Sequence, residues 1–72
     1  MRKKLREVER ELTEAGFRKI QGRGKGSHTW WEFVTSSGET IRCNIPLPKG
    51  DMVLDYTVKE VDAAIRKSRG EI

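Results

Sequence analysis

The sequence contains very little cysteine and histidine. Its 72 residues include one cysteine, Cys43, and one histidine, His28. A single cysteine excludes an internal disulfide framework and a metal site made of cysteines alone, and it suits a reducing compartment. A single histidine excludes a pair of histidines that act as acid and base within one protomer. One histidine and one cysteine also make a poor set of metal ligands, so we expect chemistry that needs neither a metal nor another cofactor.

Long apolar runs are also absent. No stretch approaches the roughly 20 apolar residues of a membrane span. The basic beginning of the sequence lacks the apolar core of a signal peptide. We therefore expect a cytoplasmic protein with no membrane partner. Hydrophobic residues make up 35% of the chain, which is enough for one small core, so we expect residues 1–72 to form a single domain.

The positive charge is concentrated in one region. The net charge is +4, and residues 16–31 contain four basic residues and no acidic one. Residues 32–65 contain six acidic and three basic residues. A local excess of positive charge fits a polyanion such as a nucleic acid, although many small basic domains bind none.

Two amphipathic segments predict helices. Apolar residues recur at helical spacing in residues 2–15, and Gly16 suits the left-handed position after a helix. Thr57 and Glu60 have the spacing of a capping box, which predicts a second helix from Thr57 to about Lys67.

Three segments between the helices predict strands, at residues 17–21, 28–35 and 39–45. The segment 51–56 is expected to be a connection, with Leu54 as its apolar anchor. Helix, three strands and helix in this order predict an α+β fold, in which both helices pack on one face of a three-stranded antiparallel sheet.

The loop Ser36-Ser37-Gly38 predicts the register of the second and third strands. A three-residue hairpin loop pairs Thr35 with Glu39 and places Trp30 opposite Asn44. Alternation then gives one apolar face and one polar face. The apolar face holds Trp31, Phe33, Ile41, Cys43 and Ile45, and the other holds His28, Trp30, Glu32, Arg42 and Asn44.

A candidate site surrounds the only histidine. His28 titrates nearest neutrality and is the default general acid or base. The glycine-rich loop before it can direct backbone N–H groups at an anion, while Arg23 and Lys25 add positive charge. Trp30 offers an aromatic surface on which a base can stack. The site could hold a phosphate, hold a base and move a proton.

Several motifs occur in an order typical of one protein family. They are Gly16-Phe17, the cationic loop, Gly26-Ser27-His28 followed by Trp31, Ser37-Gly38, Ile45-Pro46 and the helix that Thr57 begins. This order resembles that of HicA/YcfA-like proteins, the toxins of HicAB toxin–antitoxin systems. The resemblance implies a fold like the double-stranded-RNA-binding domain, mRNA cleavage with His28 as the catalytic histidine, and a HicB-like antitoxin as partner.

Our first hypothesis is therefore a metal-independent endoribonuclease. Lys25 and the backbone amides of Gly26 and Ser27 would stabilise charge on the phosphate, while Arg23 and Lys19 would hold flanking phosphates. A second hypothesis is a non-catalytic RNA-binding module of the same fold. A third is a protein-interaction domain that uses the face around Trp30.

Overall fold

The computed structural model describes residues 3–20, 28–46, 50 and 52–71, and for His28 it describes the backbone only. Two helices and five strands are present in this part of the chain. In chain order they are β1 (Lys3–Lys4), α1 (Leu5–Glu14), β2 (Arg18–Ile20), β3 (His28–Val34), β4 (Thr40–Pro46), β5 (Met52–Val53) and α2 (Asp55–Ser68). The α+β prediction is confirmed.

Helix α1 begins later than its periodicity predicts. Lys3 and Lys4 are extended and pair with Val53 and Met52, so the helix starts only at Leu5. The predicted end is confirmed, because Gly16 has a φ of 96° and donates its N–H to the Thr13 carbonyl. A left-handed glycine closes the last turn in this way, which then directs the chain toward β2.

Helix α2 begins earlier than predicted, and the capping box does not form. The N-cap is Leu54, and the backbone N–H groups of Thr57 and Val58 both donate to the Leu54 carbonyl. Thr57 is thus the third residue of the helix, where its side chain is buried. The prediction was wrong because β5 fixes the chain up to Val53, so helical geometry starts directly after it.

The connection before α2 contains the short strand β5, which the sequence did not predict. Together β1 and β5 form a two-stranded antiparallel unit, which we call the β1–β5 ribbon. Its apolar anchor is Val53, which is 1% exposed, whereas Leu54 is 46% exposed. The expected role of Leu54 is therefore wrong by one residue.

The main sheet has the strand order β2-β3-β4, and both pairs are antiparallel. The predicted register between β3 and β4 is confirmed, with Trp30 opposite Asn44 and Trp31 opposite Cys43. The Thr35 N–H donates to the Glu39 carbonyl at 2.8 Å and closes the predicted hairpin loop.

The hydrophobic core lies on one face of this sheet. Both helices pack there, α2 mainly against β4, so a single cluster joins them to the sheet. Its buried members from the sheet are Trp31, Ile41, Cys43 and Ile45, and those from the helices are Val8, Leu12, Val61, Ala64 and Ile65. Trp31, Ile41, Cys43 and Ile45 were predicted to share an apolar face. We call this face helix-covered and the opposite face helix-free.

In the part of the chain that the structure describes, no helix has the length and apolar character needed to cross a bilayer.

Candidate functional site

The structure describes only some of the residues of the predicted site. Arg23, Lys25, Gly26 and Ser27 belong to the segment 21–27, which lies outside the described residues. The backbone of His28 opens β3 and lies opposite Pro46 at the end of β4. The predictions for these five residues therefore stay predictions, and the described geometry concerns their neighbours in the sheet.

Trp30 lies on the helix-free face. Its neighbour Trp31 enters the core on the other face, and successive residues of a strand point to opposite sides. Trp30 is half-buried, with Ile20 beside it on β2 and Asn44 beside it on β4. The prediction that Trp30 and Trp31 lie on opposite faces of the sheet, with Trp30 opposite Asn44, is confirmed.

Lys19 lies on the other side of the sheet. It pairs with Trp31 across β2 and β3, so its side chain projects toward the helices. Its Nζ atom is 3.7 Å from Oε2 of Glu9 in α1. The structure therefore does not bring Lys19 together with Trp30 on a common surface.

Arg18 is the basic residue of β2 that shares the helix-free face with Trp30. It pairs with Glu32, is exposed, and forms no ion pair with another described residue. Arg18 is not among the predicted site residues, because the sequence alone gives no register for β2. The alternation of β2 against β3 is the signal that identifies it.

Arg18, Glu32 and Arg42 form a charged row beside Trp30. Glu32 lies between the two arginines, and its Oε2 atom is 3.9 Å from Nε of Arg42. Both side chains are substantially exposed, so this pair contributes little to stability. The predicted proximity of Glu32 and Arg42 is confirmed, and the row keeps one net positive charge.

Asn44 has an unusual environment on the same face. Its Oδ1 atom is buried and accepts no hydrogen bond within the part of the chain that the structure describes. A buried acceptor without a partner destabilises a protein, by about 1–3 kcal/mol. Among the described residues, the other buried side-chain atom without a partner is Nε1 of Trp31, which belongs to the core.

Cys43 lies in the core and not in the candidate site. It is 5% exposed, and burial, together with the negative charge of Glu60, raises the pKa of its thiol to about 11. The thiol is therefore protonated near neutral pH and unsuited to attack a substrate. This position agrees with the prediction that Cys43 is a core residue.

The described residues bring no three His, Cys, Asp or Glu side chains into a group that could hold a metal ion. Comparison of the chain with protein families, with curated proteins and with solved structures finds no match.

Proposed function

We propose that this protein is a metal-independent endoribonuclease that cleaves mRNA, as its resemblance to HicA/YcfA-like toxins implies. The observation that supports this best is the position of Trp30. A partly exposed aromatic lies on the helix-free face, two residues after the only histidine in the sequence. In this proposal a HicB-like antitoxin is the protein partner.

The proposed reaction uses the nucleophile that RNA itself carries, the ribose 2′-OH. His28 acts as the general base or as the general acid. Lys25 and the amides of Gly26 and Ser27 stabilise the negative charge that develops on the phosphate. The second proton-transfer group is water, Lys25 or a group of another protomer. The products are a 2′,3′-cyclic phosphate and a 5′-OH, because the 2′-oxygen attacks the adjacent phosphorus.

The helix-free face supplies contacts to the rest of the substrate. Trp30 stacks on a base, and Arg18 binds a flanking phosphate from the same face. Arg18 replaces Lys19 in this role, because Lys19 projects to the other side of the sheet and lies near Glu9. Arg23, which lies outside the described residues, keeps its proposed role as a phosphate ligand.

The first experiment compares wild type with His28→Ala on end-labelled single-stranded RNA in EDTA. We expect wild type to produce fragments that end in a 2′,3′-cyclic phosphate, and the variant to cleave at least about 100-fold more slowly while it binds RNA equally well. Products with a 3′-OH would contradict the mechanism. Cleavage by His28→Ala at the wild-type rate would show that His28 is not the catalytic group.

A matched pair of arginine variants tests the binding face. Arg18→Ala removes a charge from the helix-free face, and Arg10→Ala removes the same charge from an exposed position on α1. In the His28→Ala background, we expect Arg18→Ala to weaken RNA binding roughly threefold to tenfold and to reduce the salt slope by about 1. Arg10→Ala should change both values much less. Equal losses of RNA affinity in the two variants would indicate that binding depends only on the total charge of the protein.

The alternative is a non-catalytic RNA-binding module, for which the charged row beside Trp30 is the supporting observation. In that case Trp30→Ala and Arg18→Ala weaken RNA binding, while neither wild type nor His28→Ala releases any product. The cleavage and binding experiments together distinguish the two functions.

A further inference from the structure

The helix-free face contains a polar group that the proposed reaction does not use. The Asn44 carboxamide carries two N–H donors and one acceptor oxygen. Among the hydrogen bonds between described side chains and their neighbours, none involves this carboxamide. Its oxygen is buried as well. A buried polar group without a partner destabilises the folded state, and native proteins pair nearly all of their buried polar atoms.

Simple packing does not account for an asparagine at this position. Asn44 alternates along β4 with Cys43 and Ile45, which fill the core on the other face, so its side chain is not part of that core. No helix among the described elements covers its face. A threonine or valine would suit a strand better than asparagine. The residue therefore fits a role in binding better than a role in folding.

The register places Asn44 beside the proposed stacking residue. Trp30 and Asn44 are direct cross-strand partners, and side chains at such positions have Cβ atoms roughly 4.5–5.5 Å apart. A base that stacks on the indole of Trp30 extends a further few ångströms in its own plane. Its hydrogen-bonding edge can then reach the carboxamide.

The carboxamide can turn without losing a hydrogen bond. Because Oδ1 accepts none in the described structure, rotation about the last side-chain torsion breaks no such bond. A base edge presents donors and acceptors side by side, and asparagine can meet one of each at the same time. The unpartnered oxygen thus gains its first donor when the base arrives.

The charges around this position favour RNA as the occupant of the face. Arg18 and Arg42 lie in the next row of the sheet, with Glu32 as the only acid between them. The row keeps a net positive charge, which attracts the phosphates on either side of the bound base. The apolar surface of Ile20 and Trp30 accepts the base itself.

We infer that Asn44 reads the hydrogen-bonding edge of an unpaired RNA base that stacks on Trp30, and so determines the sequence preference of binding and cleavage. This inference rests on the proposed function, because the occupant is the RNA substrate. Trp30 supplies contact area that any base can use. Asn44 discriminates between one base and another.

The test measures preference and overall rate separately. Wild type, Asn44→Leu and Thr40→Leu each cleave a pool of RNA with random sequence, and the cut sites are mapped. Thr40→Leu is the matched control, because Thr40 lies on the same strand and on the same face, near the hairpin loop. Binding is measured in parallel in the His28→Ala background, with 8-nucleotide RNAs that differ at one base.

Wild type should prefer one base at one position by at least about fivefold over the least favoured base, as expected for a good contact to a base edge. Asn44→Leu should reduce this ratio to about twofold or less and leave the summed rate over the pool within about threefold. Thr40→Leu should keep the wild-type preference. Asn44→Leu should also melt no lower than wild type, because it removes a buried atom that lacks a partner.

Two outcomes overturn the inference while the proposed function stands. They are cleavage by wild type with no base preference, and a preference that Asn44→Leu retains. If wild type binds RNA without cleaving it, the endoribonuclease proposal fails, and the binding series alone decides the role of Asn44. If wild type binds no RNA, both proposals fail.

Discussion

Trp30 and Trp31 are neighbours in β3, and the sheet places them in opposite environments. Trp31 is 5% exposed and packs in the core beneath the two helices, whereas Trp30 is half-buried on the helix-free face. The same residue type thus packs in the core at one position and remains partly exposed at the next. Residue type alone does not reveal which tryptophan has which role. The strand register does.

The largest expected effect comes from truncating each tryptophan in turn. Trp31→Ala should lower the free energy of unfolding by about 3–5 kcal/mol, because it leaves a cavity in the core. Trp30→Ala should lower it by about 1 kcal/mol. Urea denaturation followed by circular dichroism measures both values. Similar losses for the two variants would mean that the two faces are equally buried in solution.

A domain of this size makes that difference easy to observe. Its total stability is on the order of 4–11 kcal/mol by its length. Trp31→Ala should therefore lose a large fraction of this stability, and near the lower end of the range it should be largely unfolded at 37 °C. Trp30→Ala should remain folded and, under the proposed function, lose RNA affinity. Trp31→Phe serves as a milder variant, because it keeps most of the ring volume and removes the buried indole N–H that lacks a partner in the described structure.

The second-largest expected effect is a pH dependence of the free energy of unfolding, which comes from Cys43 on the helix-covered face. The pKa of Cys43 is raised to about 11 in the folded protein, so the folded state keeps its thiol proton after the unfolded chain has lost it. The free energy of unfolding should therefore fall as the pH rises from about 9 to about 11, by roughly 2–3 kcal/mol from this group. Below pH 8 the thiol should not make the free energy of unfolding depend on pH.

Cys43→Ala isolates this contribution. The pKa of Lys3 is also raised, first by its hydrogen bond to Glu11, and it shifts stability in the same direction at high pH. Both proteins share Lys3, so the difference between their pH profiles belongs to Cys43. Denaturation curves between pH 7 and pH 10.5 provide the profiles. Parallel profiles would show that the thiol ionises as readily in the folded state as in the unfolded chain.

The smallest expected effect on stability comes from the charged row of the helix-free face. Glu32→Gln removes a 3.9 Å contact with Arg42 and should change the free energy of unfolding by less than about 0.5 kcal/mol. RNA affinity should rise about twofold to threefold, because both arginines are then free to attract phosphates.

Glu71→Gln is the control for this change. It removes the same charge from a comparable pair with Arg66 at the end of α2, where the Nε–Oε1 distance is 3.7 Å. Affinity should rise less than in Glu32→Gln. A gain as large as that of Glu32→Gln would attribute the effect to net charge and not to the face around Trp30.

The hairpin of β3 and β4 could be predicted from the sequence because its determinants are local. The three-residue loop fixes the register, and the alternation of apolar residues fixes the face. This was sufficient to separate Trp30 from Trp31 and to place Glu32 near Arg42. The positions of Trp30, Glu32 and Arg42 in the sheet could therefore be predicted, because they depend on residues close together in the chain.

The features that could not be predicted from the sequence depend on contacts between segments that are distant in the chain. Two-residue strands such as β1 and β5 have no periodicity to detect, and only their pairing makes them strands. Thr57 and Glu60 match the capping-box pattern, but the chain becomes helical before Thr57. The face of Lys19 depends on the register between β2 and β3, and the sequence predicts no short hairpin loop between them that would fix this register.

The β1–β5 ribbon joins residues that are separated by most of the chain. Bringing such distant segments together costs loop-closure entropy, and a ribbon with two residues in each strand has few hydrogen bonds to offset that cost. Its stability therefore depends on Val53 and on the core beneath it. Among the described strands, we expect those of the ribbon to separate most readily while the rest of the fold stays intact. Such an opening would expose Val53 to solvent while the hairpin of β3 and β4 stays paired, so partial unfolding of this protein need not begin at its sheet.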